Sequence, residues 1–263
     1  MKRHPGRVYL VGAGPGDPGL ITVTGMELLR SADTIVHDRL VARSLLAEAR
    51  DGAEIIDAGK APGEHRFAQR WINALIVDRA RRGRSVVRLK GGDPFMFGRG
   101  YEELTACRAV GVECVVIPGV SSALAAPAAA GIPVTNRGVA RTVAIVTGQV
   151  AGDGSAPALD YAALAAMDTI VILMGRANLR ELTRGLMDAG KHPTTPAACV
   201  QLGTPPSQRV TSATLSTLAD AADADELVAP VVTVIGQVAA CAADASSGLW
   251  SMVEGLAAVP KAV

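Results

Sequence analysis

Short apolar, β-branched runs recur along the chain, and each ends in glycine, proline or a polar cluster. Val8 to Val11 (VYLV) is the first and predicts a strand, with a glycine- and proline-rich loop from Gly12 to Gly19 behind it. From Thr22 the spacing of Val23, Met26 and Leu29 predicts a helix. Asp33 to Asp38 and Glu54 to Ala58 read as the next two strands. Phe67, Trp71, Ala74 and Leu75, with arginines at 79, 81 and 82, suit an amphipathic helix. Its basic last turn complements the helix dipole. A fourth strand runs from Ser85 into Gly91, followed by a helix near Glu102 to Ala109 and a strand at Cys114 to Ile117. This βαβα alternation predicts a mainly parallel sheet.

Gly131 to Gly138 (GIPVTNRG) reads as the connection to a second unit. Beyond it, Arg141 to Thr147, Thr169 to Met174, Ala197 to Gln201 and Val231 to Ile235 predict strands, and Ala177 to Ala189 a helix. Asp220 to Glu226 reads as an acidic surface segment, and the weakly periodic tail from Ala242 as a frayed helix. The expected architecture is α/β, with two α/β domains over residues 1–136 and 137–241 and a C-terminal tail over 242–263. The cleft between the two domains is the default site.

With 263 residues, the chain is long enough to divide into two cores. A hydrophobic fraction of 49% makes those cores substantial. The net charge of +1 argues against nucleic-acid binding driven by bulk charge, and 3% aromatics are too few for base-stacking platforms. Cys107, Cys114, Cys199 and Cys241 show no CxxC spacing, which argues against zinc or redox motifs and for buried thiols in a reducing compartment. The basic start MKRHPGR is followed by an apolar run too short for a signal peptide, and no run of about 18 apolar residues predicts a membrane span.

The chemistry concentrates in SVVRLKGGDPFMFGRGYEE, residues 85–103. Gly91 and Gly92 remove the β-carbons that would keep backbone from a ligand, and Pro94 stops the strand. Asp93 adds a carboxylate where open α/β sheets bind ligands, although a tight structural turn would use the same residues. The loop after the first strand resembles a dinucleotide fingerprint, but its third glycine position is Asp17, whose charge would repel a pyrophosphate. His37, Asp38 and Arg39 end the second strand, as a site or as a solvated strand exit. Lys60 follows the third strand, either solvated or able to serve as an acid. Ser121 and Ser122 open an Ala-rich helical stretch and suit N-capping, which is compatible with a ligand contact.

Three blocks carry a resemblance: VGAGPGDPGLIT, VVRLKGGDPFMFGRGYEE and PGVSSALAAPAAAGIPVTNR. In order and spacing they resemble the uroporphyrinogen-III C-methyltransferase family, within the tetrapyrrole methylase group, over nearly the whole chain. The resemblance implies two α/β domains flanking a cleft. It also implies two methyl transfers from S-adenosyl-L-methionine (SAM) to rings A and B of uroporphyrinogen III, giving precorrin-2 and S-adenosyl-L-homocysteine. No metal is implied. A homodimer in the cytoplasm is.

By resemblance, SAM contacts fall on Pro15, Gly91, Gly92, Asp93, Met96, Ser121 and Ser122, and in the second domain on Met174, Gly203 and Val231. Ser121-Ser122 departs from the family's frequent Thr-Ala pair but keeps the hydroxyl at 121. Arg99 and Arg137 match positions that bind substrate acid groups, and Glu102 one that accepts pyrrole N–H bonds. Asp38 and Lys60 match the family's proton acceptor and donor. The fused dehydrogenase and chelatase part of some relatives is not expected. Two other readings stay open: a methyltransferase acting on a later precorrin or on diphthine, and a non-catalytic binder of SAM or tetrapyrrole.

Overall fold

The computed structural model describes residues 6–59, 65–149, 158–201 and 208–242. Lys60 and Gly203, and the tail beyond residue 242, lie outside the described residues. The chain forms two compact units, Met1–Ser121 and Ser122–Val263.

In the first unit, strands β1 (Val8–Gly12), β2 (Thr34–His37), β3 (Glu54–Asp57), β4 (Val86–Lys90) and β5 (Cys114–Ile117) form one sheet in the order β3-β2-β4-β1-β5. Every pairing among these strands is parallel. The five C-terminal ends therefore share one edge, the ligand-binding side of open α/β sheets. Helices α1 (Val23–Ser31), α2 (Arg43–Leu46), α3 (His65–Arg81) and α4 (Gly100–Arg108) connect the strands. Alternation along the strands sets the two faces. Val8, Leu10, Val36 and Val86 pack with Ile72, Ile76, Leu104 and Cys107 of α3 and α4. Val11, Ile35, Val87 and Leu89 pack with Leu29 and Leu45 of α1 and α2. Every residue of β4 is buried, although two of them, Arg88 and Lys90, are charged.

The second unit holds α5 (Ser122–Ala129), β6 (Val143–Thr147), α6 (Tyr161–Ala165), β7 (Thr169–Leu173), α7 (Leu179–Asp188), β8 (Pro196–Gln201), β9 (Arg209–Thr214), α8 (Leu218–Ala224) and β10 (Val231–Ile235). Its sheet order is β6-β7-β10-β8-β9. Among these strands only β6–β7 is parallel; the other three pairings are antiparallel.

Two features differ from the sequence reading, and the acidic surface segment proves to be part of a helix. The units divide at Ser121/Ser122 rather than near residue 136, because Ala123 and Ala126 of α5 pack with Val171, Val200 and Val234 of the second sheet. Strand β9 escapes detection because RVTSAT is polar and small-residue rich, as a partly exposed edge strand permits. The acidic segment at 220–226 overlaps α8, which buries Leu218, Ala219 and Ala222. Its Asp220 and Asp223 pair with Arg180 at 2.8 and 2.9 Å, and Asp223 also pairs with Arg176 at 2.7 Å. Among the described residues, no helix is long and apolar enough to cross a membrane.

Candidate active site

Three glycine loops meet at the C-terminal edge of the first sheet. The Gly12–Asp17 loop follows β1, the Gly91–Gly98 loop follows β4, and Pro118-Gly119 follows β5. Gly14 and Gly92 exchange backbone hydrogen bonds of 3.3 and 2.8 Å, and Ala13 donates to the Lys90 carbonyl at 2.8 Å. A β-carbon on Gly119 would lie 2.3 Å from the Gly92 carbonyl oxygen, so only bare backbone fits there. Pro15 sits half-buried within the first loop. Asp17, which breaks the dinucleotide pattern, shapes the loop instead. It accepts from the Gly19 amide at 2.7 Å and caps a short 3-10 turn.

Asp93 is the organiser of the second loop. One carboxylate oxygen accepts from the Phe95 and Met96 amides at 2.8 and 3.1 Å; the other accepts from Gly119 at 3.1 Å. This one side chain joins the loops after β4 and β5. Phe95, Met96 and Phe97 are left exposed, with Leu40 and Tyr101 also exposed in the same unit. At Gly91 the nearest heavy atom to an added β-carbon would be Leu40 Cβ at 3.7 Å, which is ordinary contact rather than a clash.

Asp38 follows β2 and stands beside this loop. Its carboxylate accepts from Arg88 Nη2 and, at 3.4 Å, from the Gly91 amide. About a third of the side chain, 34%, remains accessible. Burial pushes its pKa up, but the Arg88 and Lys90 charges and the Arg88 and Gly91 hydrogen bonds outweigh that and hold it below the usual carboxylate range. Arg88 also donates from Nε to Glu103 at 2.9 Å, and Lys90 Nζ lies 3.0 and 3.1 Å from the two Glu103 oxygens. Gln69 of α3 donates to Glu103 at 3.2 Å. His37 turns its ring toward the backbone, with Nδ1 3.1 Å from the Asp38 carbonyl oxygen.

Arg99 takes the left-handed backbone conformation, φ 58°, where α4 begins. Its guanidinium meets the Glu102 carboxylate at 2.7 and 2.8 Å. Gln69, Arg70 and Asn73 from α3 line a pocket with this pair.

The structure thus brings Pro15, Asp38, Gly91, Gly92, Asp93 and Met96 to one sheet edge, with Arg99 and Glu102 following in the same loop and helix. Ser121 ends the first unit and Ser122 begins α5. Met174, Arg137 and Val231 belong to the second unit. Met174 is exposed after β7 with φ 54°. Arg137 is exposed in the turn closed by Asn136 and Ala140. Val231 begins β10 and packs in the core, pairing with Gln201. Sequence reasoning assigned no role to Arg88, Lys90, Glu103, Gln69, Arg70 or Asn73. The available signal was two cations at alternate positions in a strand of otherwise apolar residues, which puts both on one face.

Bare glycine loops joined by a carboxylate, with a second half-buried carboxylate and an arginine pocket, define a small-molecule site of the α/β enzyme class. The chain belongs to the tetrapyrrole methylase family. The model for Tetrapyrrole (Corrin/Porphyrin) Methylases matches residues 7–219. The uroporphyrinogen-III C-methyltransferase of Methanocaldococcus jannaschii is 46% identical over 234 residues, 89% of this chain and 96% of that protein. A siroheme synthase of Psychrobacter sp. is 43% identical over 235 residues, 89% of this chain but 48% of that protein, so the chain spans about half its length. The crystal structure of a uroporphyrin-III C-methyl transferase from Thermus thermophilus, complexed with S-adenyl homocysteine, is similar with a TM-score of 0.76. It is 39% identical and covers 89% of this chain and 98% of that one.

Proposed function

We propose that this chain is a SAM-dependent uroporphyrinogen-III C-methyltransferase that methylates rings A and B to give precorrin-2. The observation that carries the reading is the glycine-loop edge with Asp38 fixed beside Gly91. The named relatives support the substrate. SAM supplies an electrophilic methyl on a sulfonium and leaves as S-adenosyl-L-homocysteine. The residues present suit that cosubstrate: glycine backbone for close approach, exposed Met96 for apolar contact and carboxylates for a cation. Pro15, Gly91, Gly92, Asp93, Met96, Ser121 and Ser122 hold it in this reading, with Met174, Gly203 and Val231 from the second unit.

Arg99 and Arg137 receive carboxylates of the substrate, and Glu102 accepts pyrrole N–H bonds. Methylation of an electron-rich pyrrole carbon leaves a cationic ring that must lose a proton. Asp38, ionised and partly accessible, accepts it, and Lys60 donates where the macrocycle rearranges. The protein otherwise contributes positioning, and no metal takes part. The working unit is a homodimer in the cytoplasm, both carried over from the family.

Parallel incubations with SAM and either uroporphyrinogen III or an already methylated precorrin test the reading. Methylation of the former, with a dimethylated chlorin-type spectrum, is expected. Methylation of the latter alone would move the enzyme to a later step. Single-turnover rates for Asp38→Asn and Lys60→Met, at saturating SAM, test the acid–base pair. Both should fall with SAM affinity little changed.

A further inference from the structure

The central strand of the first sheet carries two cations in its buried interior, and the proposed function assigns a role to neither. Arg88 and Lys90 are each 2% exposed, and Glu103, which bridges them from α4, is fully buried. Burying such a set costs desolvation, and apolar residues of similar volume would often serve stability as well or better. A stability role alone therefore leaves the cations unexplained.

The contacts of Arg88 suggest what they do. Nε donates to Glu103 at 2.9 Å, and Nη1 to the carbonyls of Val36 and Leu89 at 3.3 and 3.2 Å. Nη2 donates to Asp38. Three of these four acceptors fix the plane of the guanidinium, and the fourth is the carboxylate at the sheet edge. Lys90 and Gln69 donate to the same Glu103 oxygen that Arg88 Nε meets, at 3.1 and 3.2 Å. Glu103 therefore cannot turn away without losing several bonds.

We propose that Arg88, held by Glu103, is a positioning residue for methyl transfer: it orients the Asp38 carboxylate so that Asp38 presents its accessible side to the proton leaving the methylated ring. The inference rests on Asp38 being the proton acceptor. An arginine suits this role because it stays protonated at every working pH and directs several donors in a fixed plane. A weak carboxylate base suffices, because the proton leaves a cationic ring. The groups around Asp38 are Arg88 and Lys90 from β4, the Gly91 amide, and His37 and Arg39 on either side in the chain.

A double-mutant cycle tests this with single-turnover methylation of uroporphyrinogen III at saturating SAM. The variants are Asp38→Asn, Arg88→Met and the pair, with Arg88→Lys replacing Arg88→Met should the latter not fold. Loss of Arg88 should slow methylation on the order of 10–100-fold, the scale of a misplaced catalytic group. In the Asp38→Asn background the same change should cost less than about 2-fold, since Arg88 then has no carboxylate to orient. SAM affinity should stay within about 2-fold throughout. Equal losses in both backgrounds would overturn the inference, as would a wild-type rate for the folded Arg88 variant. A wild-type rate for Asp38→Asn would instead remove Asp38 as the proton acceptor, a failure of the underlying reading.

Discussion

Gly12 and Gly119 pack backbone on backbone: a β-carbon on Gly12 would lie 2.4 Å from Gly119 Cα and 2.7 Å from the Gly92 carbonyl oxygen. The three nearest atoms it would meet are all main chain, so no side-chain rotation relieves the clash. Gly12→Ala is therefore expected to push three loops apart. Overpacking of this kind costs roughly 1–3 kcal/mol. Denaturant unfolding should register that loss, and calorimetry a weaker SAM affinity. Unchanged values for both would mean that the loops are not held by this contact.

Asp93→Ala is expected to weaken SAM binding by roughly 1–3 kcal/mol, the scale of a lost charge-assisted hydrogen bond or an unsatisfied buried group. The structure adds a reason. Both oxygens of Asp93 hold backbone amides, at 2.8 to 3.1 Å, so the variant loosens the loop that offers Gly91 and Met96. Asp93→Asn retains one acceptor oxygen and should fall between the two. Calorimetry on folded variants measures the series, and equal affinities across it would remove Asp93 from SAM binding.

Much of this was legible in the sequence because the first unit is built from apolar runs that stop at glycines. Strands β1 to β5 are legible for that reason, and so is the placement of Asp38 and Gly91 on one edge. The buried charges were harder. Arg88 and Lys90 alternate with Val87 and Leu89, a pattern that ordinarily sends cations to solvent. Helices α3 and α4 cover that face and supply Gln69 and Glu103, a tertiary fact absent from local sequence. Strand β9 was illegible for the opposite reason, since an edge strand needs little apolar surface. The start of α5 in the second unit was obscured by its Ala-rich composition, which does not reveal the sheet on which the helix packs.

Arg99→Lys should impair turnover of uroporphyrinogen III while leaving SAM affinity nearly intact. Arg99 already meets a carboxylate through two nitrogens, that of Glu102 at 2.7 and 2.8 Å. Lysine keeps the charge but not that planar fork, so the change is not conservative at a bidentate site. Steady-state kinetics with SAM saturating should show the loss chiefly in kcat/KM for the tetrapyrrole. Loss of SAM binding with turnover of bound substrate intact would reassign Arg99.

The ionised state of Asp38 predicts a pH dependence of stability. Its folded pKa lies below the unfolded value of about 3.9, so between the two the unfolded chain binds more protons. The stability Asp38 contributes is then complete above the unfolded value and lost as pH falls through the folded one. Unfolding curves of wild type and Asp38→Asn should differ at neutral pH and converge in acid. A gap that stays constant down to pH values well below that of a free carboxylate would contradict the assignment.

The most direct test of methyl transfer is the mass of the tetrapyrrole product formed with SAM whose methyl carries three deuteriums. The account predicts a product from uroporphyrinogen III that contains two trideuteriomethyl groups, formed in succession, with S-adenosyl-L-homocysteine released for each. Unlabelled uroporphyrinogen III recovered from folded protein that binds SAM would contradict it.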